Sequence, residues 1–238
     1  MGRKTIFWLL VFCLGLGVLL YPLINSHYTT QRMETSVDSF LATTEPDSST
    51  EETTAEEPTM PYVELWEAMV SYNEQLYETR QSELTSAEAI TEPAFLLSGF
   101  GTDGDTFAVL SIPKINLSMP LYLGATDQHM AMGAAQLGQT SLPIGGNNTN
   151  CVIAGHRGYS GADYFRYVPV LAIGDSVYIR NVWENLHYCV VEKKIIEPDD
   201  IPSIEIQPGR DLITLLTCHP YASGGRQRYL VICERMEE

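Results

Sequence analysis

Positive charge is scarce in this chain. Fourteen Lys and Arg stand against 30 Asp and Glu, and the formal net charge is −16. A surface so poor in cations argues against nucleic acid as a partner. The deficit is local. From Met33 to Glu92 fifteen acidic residues face one basic residue, Arg80, and the rest of the chain carries only −2. Paired cysteines are also lacking. Cys13, Cys151, Cys189, Cys218 and Cys233 form no CxxC motif, which argues against a zinc site or a thioredoxin-like redox centre. No metal-ligand cluster is visible, and no cofactor is expected. Long apolar runs are absent after the first 28 residues, and long helical periods are absent after Thr106.

What the N-terminus does have is one apolar run. Ile6 to Ile24 contains no charged residue. Nineteen residues at about 1.5 Å each match the hydrocarbon thickness of a bilayer. Arg3 and Lys4 precede the run and keep the first five residues in the cytoplasm. A cleaved signal peptide is the rival reading. The run is long for one, and no small-x-small cleavage site follows. The expectation is therefore a cytoplasmic segment over 1–5, an uncleaved transmembrane anchor over 6–24, and everything after Tyr28 outside the cytoplasm.

Glu34–Thr59 is rich in Thr, Ser and Glu and has no Lys or Arg. Such a stretch buries too little apolar area to offset chain entropy. A disordered acidic stalk is expected over 25–60, held extended by its own charge as a spacer. Val63, Trp66, Met69, Val70 and Leu76 then recur at helical spacing, which predicts a helical, lid-like region over 61–105. From Thr106 the pattern becomes short β-type runs: FAVLSI, CVIAG, DSVYIR, LHYCVVEKKII, LITLLTC and RYLVIC. Gly, Pro and Asn clusters separate them. At this length one closed β-barrel over 106–238 is the simplest architecture. The fold class is mainly β, with short helices and the N-terminal helices ahead of the barrel.

Cys151, Cys189 and Cys233 sit inside β-type runs, where a free thiol behaves as a small hydrophobe. Cys218 differs, because it ends LITLLTC just before His219-Pro220. Proline cannot continue a ladder, so the thiol stands at a rim. A thiol with a free pKa of about 8.5 needs a histidine or a cation to act as thiolate. His27 adjoins the apolar run, His129 lies in a helix-like or loop segment, and His187 lies within a strand. His156 ends CVIAG between two glycines, and it is preferred to His219, the neighbour of the thiol. Successive strand residues face opposite ways, which counts against His219. Arg228 opens RYLVIC. Antiparallel pairing with LITLLTC returns it beside Cys218, where a guanidinium stabilises a thiolate or an oxyanion. An ordinary surface arginine is the alternative, and Arg226 lies in the intervening loop.

Together these segments resemble the sortases, cysteine transpeptidases of Gram-positive surfaces. TLLTC resembles the family's cysteine segment, IAGHRGY its histidine segment and RYLV its arginine segment, in the family's order. Pro220-Tyr221 and the ten-residue step to Arg228 resemble class C, the pilin-polymerising type, as do LSIPKINLSMPLYLG and QTSLPIGGNNTNCVIAGHRG. The resemblance implies an eight-stranded barrel with Cys218 as nucleophile, His156 as acid and base, and Arg228 on the oxyanion. It implies cleavage of an LPXTG-like sorting signal between Thr and Gly through a thioacyl-enzyme. The acceptor would be a pilin lysine or, in a housekeeping enzyme, a cell-wall precursor. A non-catalytic membrane-tethered barrel is the outside reading. Class C lids often carry Asp-Pro-aromatic; the nearest sequence here is Glu92-Pro93-Ala94, which lacks both flanking residues.

Overall fold

A computed structural model describes residues 2–44, 60–84, 90–100, 105–159 and 161–236. The chain opens with one helix, α1 (Arg3–Thr44). Its first part is exposed on every side: Ile6, Phe12, Leu19 and Ile24 are all open. From Asn25 onward one face turns inward. Ser26, Thr29, Met33, Val37, Phe40 and Leu41 lose exposure at steps of three and four, while most residues between them stay open. Met33 and Val37 are buried, and this half packs on the barrel. Residues 25–44, expected as the start of a disordered stalk, are therefore helical. Burial of an apolar stripe outweighs a composition that is poor for helices. Residues 45–59 lie outside the described residues.

Eight strands follow: β1 (Thr106–Ile112), β2 (Leu117–Leu123), β3 (Ala134–Gln136), β4 (Thr149–Ala154), β5 (Ser176–Arg180), β6 (Asn185–Ile196), β7 (Asp211–His219) and β8 (Gln227–Arg235). They close into a barrel in the order β1-β2-β3-β4-β7-β8-β6-β5. Every run read as a strand in the sequence is one. β2 and β3 were not among those runs. β2 contains Pro120, paired on one side with Val109, while pairing to β3 begins only at Leu121. The proline nitrogen therefore lies where the second edge is open, and the missing donor costs nothing.

The side-chain pattern shows how the barrel is filled. β5 alternates between half-buried and buried positions, whereas all of β4 is buried. Cys151 and Ile153 face the barrel interior with Leu121, Ile213, Leu215 and Val231. Val152 and Ala154 face outward into a second core with Leu230, Ile196 and Ile204. A parallel strand covered on both sides reads as a continuous apolar run, and β4 pairs in parallel with β7. Asn150 ties the outer layer down. Its amide donates to Ile204 O and Glu205 O at 3.0 and 3.2 Å and accepts from Thr214 Oγ1 at 2.8 Å.

Helix α2 (Val63–Glu78) buries Leu65, Met69 and Leu76 against the barrel. Trp66 and Val70 are partly buried there, while Val63 is exposed. Asn73 fixes its height by accepting from Leu142 N at 2.8 Å. Helix α3 (Asp127–Met132) is capped by Thr126, whose hydroxyl accepts from His129 N.

Candidate active site

Three strand ends make the candidate site. β4 and β7 run in parallel with Ala154 opposite Leu216. The contact continues past the strand: Gly155 N donates to Leu216 O at 3.1 Å, and Thr217 Oγ1 donates to Gly155 O at 2.8 Å. Residue 156 therefore leaves β4 at the level where β7 reaches Cys218. β7 and β8 are antiparallel, with Cys218 directly opposite Arg228. The topology brings the three predicted residues to one rim.

His156 is held from two directions. Its carbonyl accepts from Phe165 N at 2.9 Å. The preceding Gly155 lies flat on the Phe165 ring, where an added Cβ would come within 2.5 Å of ring carbon. Tyr159 stacks on the imidazole at 4.5 Å and 17°, and Tyr164 meets it edge-on at 6.0 Å. Tyr164 is itself anchored by donation to Ala131 O at 2.7 Å. Burial among these rings lowers the His156 pKa below its ordinary 6.5, against an opposing pull from Asp127. The ring is accordingly mostly neutral at pH 7.

Cys218 is half-buried. It shares a wall with Arg228: a Cβ on Gly225 would lie 3.2 Å from the Cys218 sulfur and 3.0 Å from Arg228 Nη1. Arg228 Nη1 donates to Gly225 O at 2.6 Å, which aims the guanidinium along the loop between β7 and β8. Gly225 has φ +78, so glycine is needed there for its conformation as well as for its lack of bulk.

His219 has other work. Arg157 Nη1 lies 3.0 Å from His219 Nδ1 and donates to Cys218 O at 3.2 Å. A guanidinium only donates, so Nδ1 must accept. Two other histidines are engaged elsewhere: His129 Nδ1 lies 2.8 Å from Gly124 O, and His187 Nε2 lies 3.0 Å from Ser176 Oγ. Cys151 and Cys233 are buried, and burial pushes both thiols well up.

Sequence reasoning missed three contributors: Tyr159 over the imidazole, Gly225 between thiol and guanidinium, and Arg157 on His219. The Gly224-Gly225 pair before Arg226 was a visible signal for a close backbone approach. Nothing local marks a stacking tyrosine. The lid-like stretch is laid on the barrel wall. Pro93 sits against Gly124, and Phe95 stacks on Phe100 at 5.5 Å. Phe95 also meets Tyr72 edge-on at 6.2 Å. Residues 85–89 and 101–104 lie outside the described residues.

Known proteins match this barrel. The model of the Sortase domain family matches residues 110–236. Sortase D of Bacillus subtilis is 27% identical over 135 residues, which cover 56% of this chain and 65% of that protein. A mutant of sortase C-1 from Streptococcus pneumoniae superposes with a TM-score of 0.59 at 31% identity, covering 72% of this chain and 91% of that one. The pilus-related Sortase C of Group B Streptococcus superposes with a TM-score of 0.58 at 28% identity, again covering 72% of this chain and 91% of the other.

Proposed function

This chain belongs to the sortase family, whose members are cysteine transpeptidases, and from that membership we propose that it cleaves an LPXTG-like sorting signal between Thr and Gly and passes the acyl group to an amine. The observation that carries the reading is the single rim where Cys218 faces Arg228 across β7 and β8 and the parallel β4 delivers His156.

The steps balance as two acyl transfers. The Cys218 thiolate attacks the threonine carbonyl carbon, and the negative charge moves to its oxygen, beside the Arg228 guanidinium. The Thr–Gly C–N bond breaks, and the His156 imidazolium gives its proton to the departing glycine amine. A thioester remains on Cys218. An incoming amine attacks it, His156 takes the amine's proton, and the thiolate leaves. The neutral bias of His156 means that only a minor fraction of free enzyme holds the proton this chemistry begins with.

The acceptor we propose is a lysine of a pilin subunit, giving an isopeptide-linked polymer. The support is the likeness to sortase C structures, one of them pilus-related. The run Ile6–Ile24 serves as a single-pass anchor, with the barrel on the extracytoplasmic face of a Gram-positive cell; it is long and apolar enough to span. The alternative within the family is attachment of surface proteins to a cell-wall precursor.

Purified enzyme given a sorting peptide and either a pilin domain or a short wall-type amine separates the readings by product mass. Pilin-linked product is expected, and Cys218→Ala abolishes it. A product formed only with the short amine overturns the pilin reading. Product formation that survives Cys218→Ala overturns the mechanism.

A further inference from the structure

The catalytic loop is fastened to the anchor helix at its point of exit from the membrane. Ser26 Oγ donates to Gly161 O at 2.9 Å. A Cβ on Gly161 would come within 2.9 Å of Pro22 O and 3.0 Å of Ser26 Cβ. The loop backbone therefore lies directly on α1, and Gly161, at φ +87, is the residue that permits the approach. Gly161 is five residues beyond His156.

Helix geometry sets the depth of that contact. The uncharged run Ile6–Ile24 fills a hydrocarbon core of about 30 Å at about 1.5 Å per residue. Ser26 then stands about 3 Å above the hydrocarbon, inside a headgroup layer roughly 5–7 Å thick on each side. α1 is continuous through this region, so the loop is held at the same height.

The side chains around the contact suit that height. Tyr159 and Tyr221 are 43% and 50% exposed. Tyr221 closes on the loop at Gly158, whose added Cβ would lie 3.5 Å from its ring. The Arg166 guanidinium sits 5.0 Å over the Tyr221 ring and pairs loosely with Asp163 at 3.4 Å. Tyrosines with a cation beside them are the residues that settle at a membrane–water interface, ring toward the acyl chains and polar tip toward headgroups. Tyr159 is also the ring stacked on His156.

We propose that the catalytic rim rests on the outer leaflet, with Tyr159 and Tyr221 at headgroup depth and Arg166 beside lipid phosphates. The thiol then takes sorting signals that are still held in the plane of the membrane. This placement rests on α1 being the membrane anchor, as read above.

Tryptophan quenching by brominated lipids tests both statements in the full chain, reconstituted in phosphatidylglycerol-containing vesicles. Trp8 lies in the apolar run and reports on the anchor. Tyr221→Trp and Tyr159→Trp report on the rim. Tyr77→Trp reports on the opposite end of the barrel, where Tyr77 lines a cleft with Thr149, the first residue of β4. Lipids brominated deep in the acyl chain are expected to quench Trp8 in every variant. Lipids brominated near the headgroup are expected to remove most of the added emission from the two rim variants and none of that from Tyr77→Trp. Trp8 quenched while both rim tryptophans behave like the one at 77 overturns the placement and leaves the anchor standing. Trp8 unquenched overturns the anchor and the placement with it. Should one rim variant fail to fold, the other decides alone.

Discussion

Replacing Gly225 with alanine tests how the thiol and the guanidinium share space. Gly224 and Gly225 have nearly the same backbone, φ +70 and +78. At either position a Cβ in left-handed conformation costs about 1–2 kcal/mol. For a domain of this size that lowers Tm by about 2–8 °C. The surroundings differ. Nothing lies within 4 Å of a Cβ on Gly224, whereas on Gly225 it meets Arg228 Nη1 at 3.0 Å and the Cys218 sulfur at 3.2 Å. Relief of that crowding must move the guanidinium, because its Nη1 is bonded to Gly225 O. If Arg228 is the oxyanion donor, its displacement costs about 10²–10³ in rate, the usual effect of losing one such donor. The assay is single-turnover formation of the thioacyl-enzyme with a sorting peptide, alongside thermal melts of both variants. Gly224→Ala and Gly225→Ala should melt alike, and only Gly225→Ala should lose acylation, by about 100-fold. Equal acylation rates in the two variants would falsify the assignment of that guanidinium to the reacting carbonyl.

Three further outcomes follow from contacts already described. Tyr159→Ala uncovers the imidazole and should raise the His156 pKa toward 6.5, as read by NMR titration of the ring; Tyr159→Phe should keep the lowered value, and no change in Tyr159→Ala removes Tyr159 from the ring's burial. His156 also shapes stability against pH. Its folded pKa lies below its unfolded value, so the unfolded chain binds the proton first as pH falls, and stability present above about pH 6.5 is lost progressively below it. His156→Gln should therefore lose less stability than the parent between pH 7 and pH 5 in chemical denaturation, and a parallel loss contradicts the lowered pKa. Asn150→Ala strands the Ile204 and Glu205 carbonyls and the Thr214 hydroxyl, at about 1–3 kcal/mol each. A loss of about 3 kcal/mol or more is expected in denaturant titration, with partial recovery on adding Thr214→Val, which removes the orphaned hydroxyl.

Much of the catalytic domain was legible because its strands carry strong local signals. CVIAG is a continuous apolar run and LITLLTC is broken only by two threonines, the mark of strands covered on both faces, and these two pair in parallel. The opposition of Cys218 and Arg228 was legible from chain arithmetic, since one tight connection between antiparallel strands must return the later residue beside the earlier one. β3 was not legible. It is three residues long, too short for any period to show. Its partner β2 was hidden by Pro120, which denotes a non-strand unless the open edge beside it is known. His156 was preferred over His219 for its place at a strand end between glycines, with pleat alternation counting against His219. The geometry supplies a firmer reason, an Arg157 guanidinium on His219 Nδ1, and that contact spans 62 residues of sequence.

The largest revision concerns the tether, and it changes the physics of substrate capture. A disordered stalk from residue 25 would let the barrel sample many heights and orientations, and would act only by raising local concentration. The inward-facing positions Ser26, Thr29, Met33, Val37 and Phe40 were present in the sequence at helical spacing, but Thr, Ser and acidic neighbours masked them. With that face docked on the barrel, α1 as the proposed anchor would carry the orientation of the membrane directly into the domain. Each residue of helix fixes the catalytic loop to about 1.5 Å in depth, and the Ser26–Gly161 bond sets which residue counts. Height then becomes a property of register. Inserting one residue between Ile24 and Ser26 would raise the contact by about 1.5 Å and rotate it by about 100° around the helix. The loop would face away from its seat, whereas a flexible stalk would tolerate the same insertion without effect on polymer formation in cells.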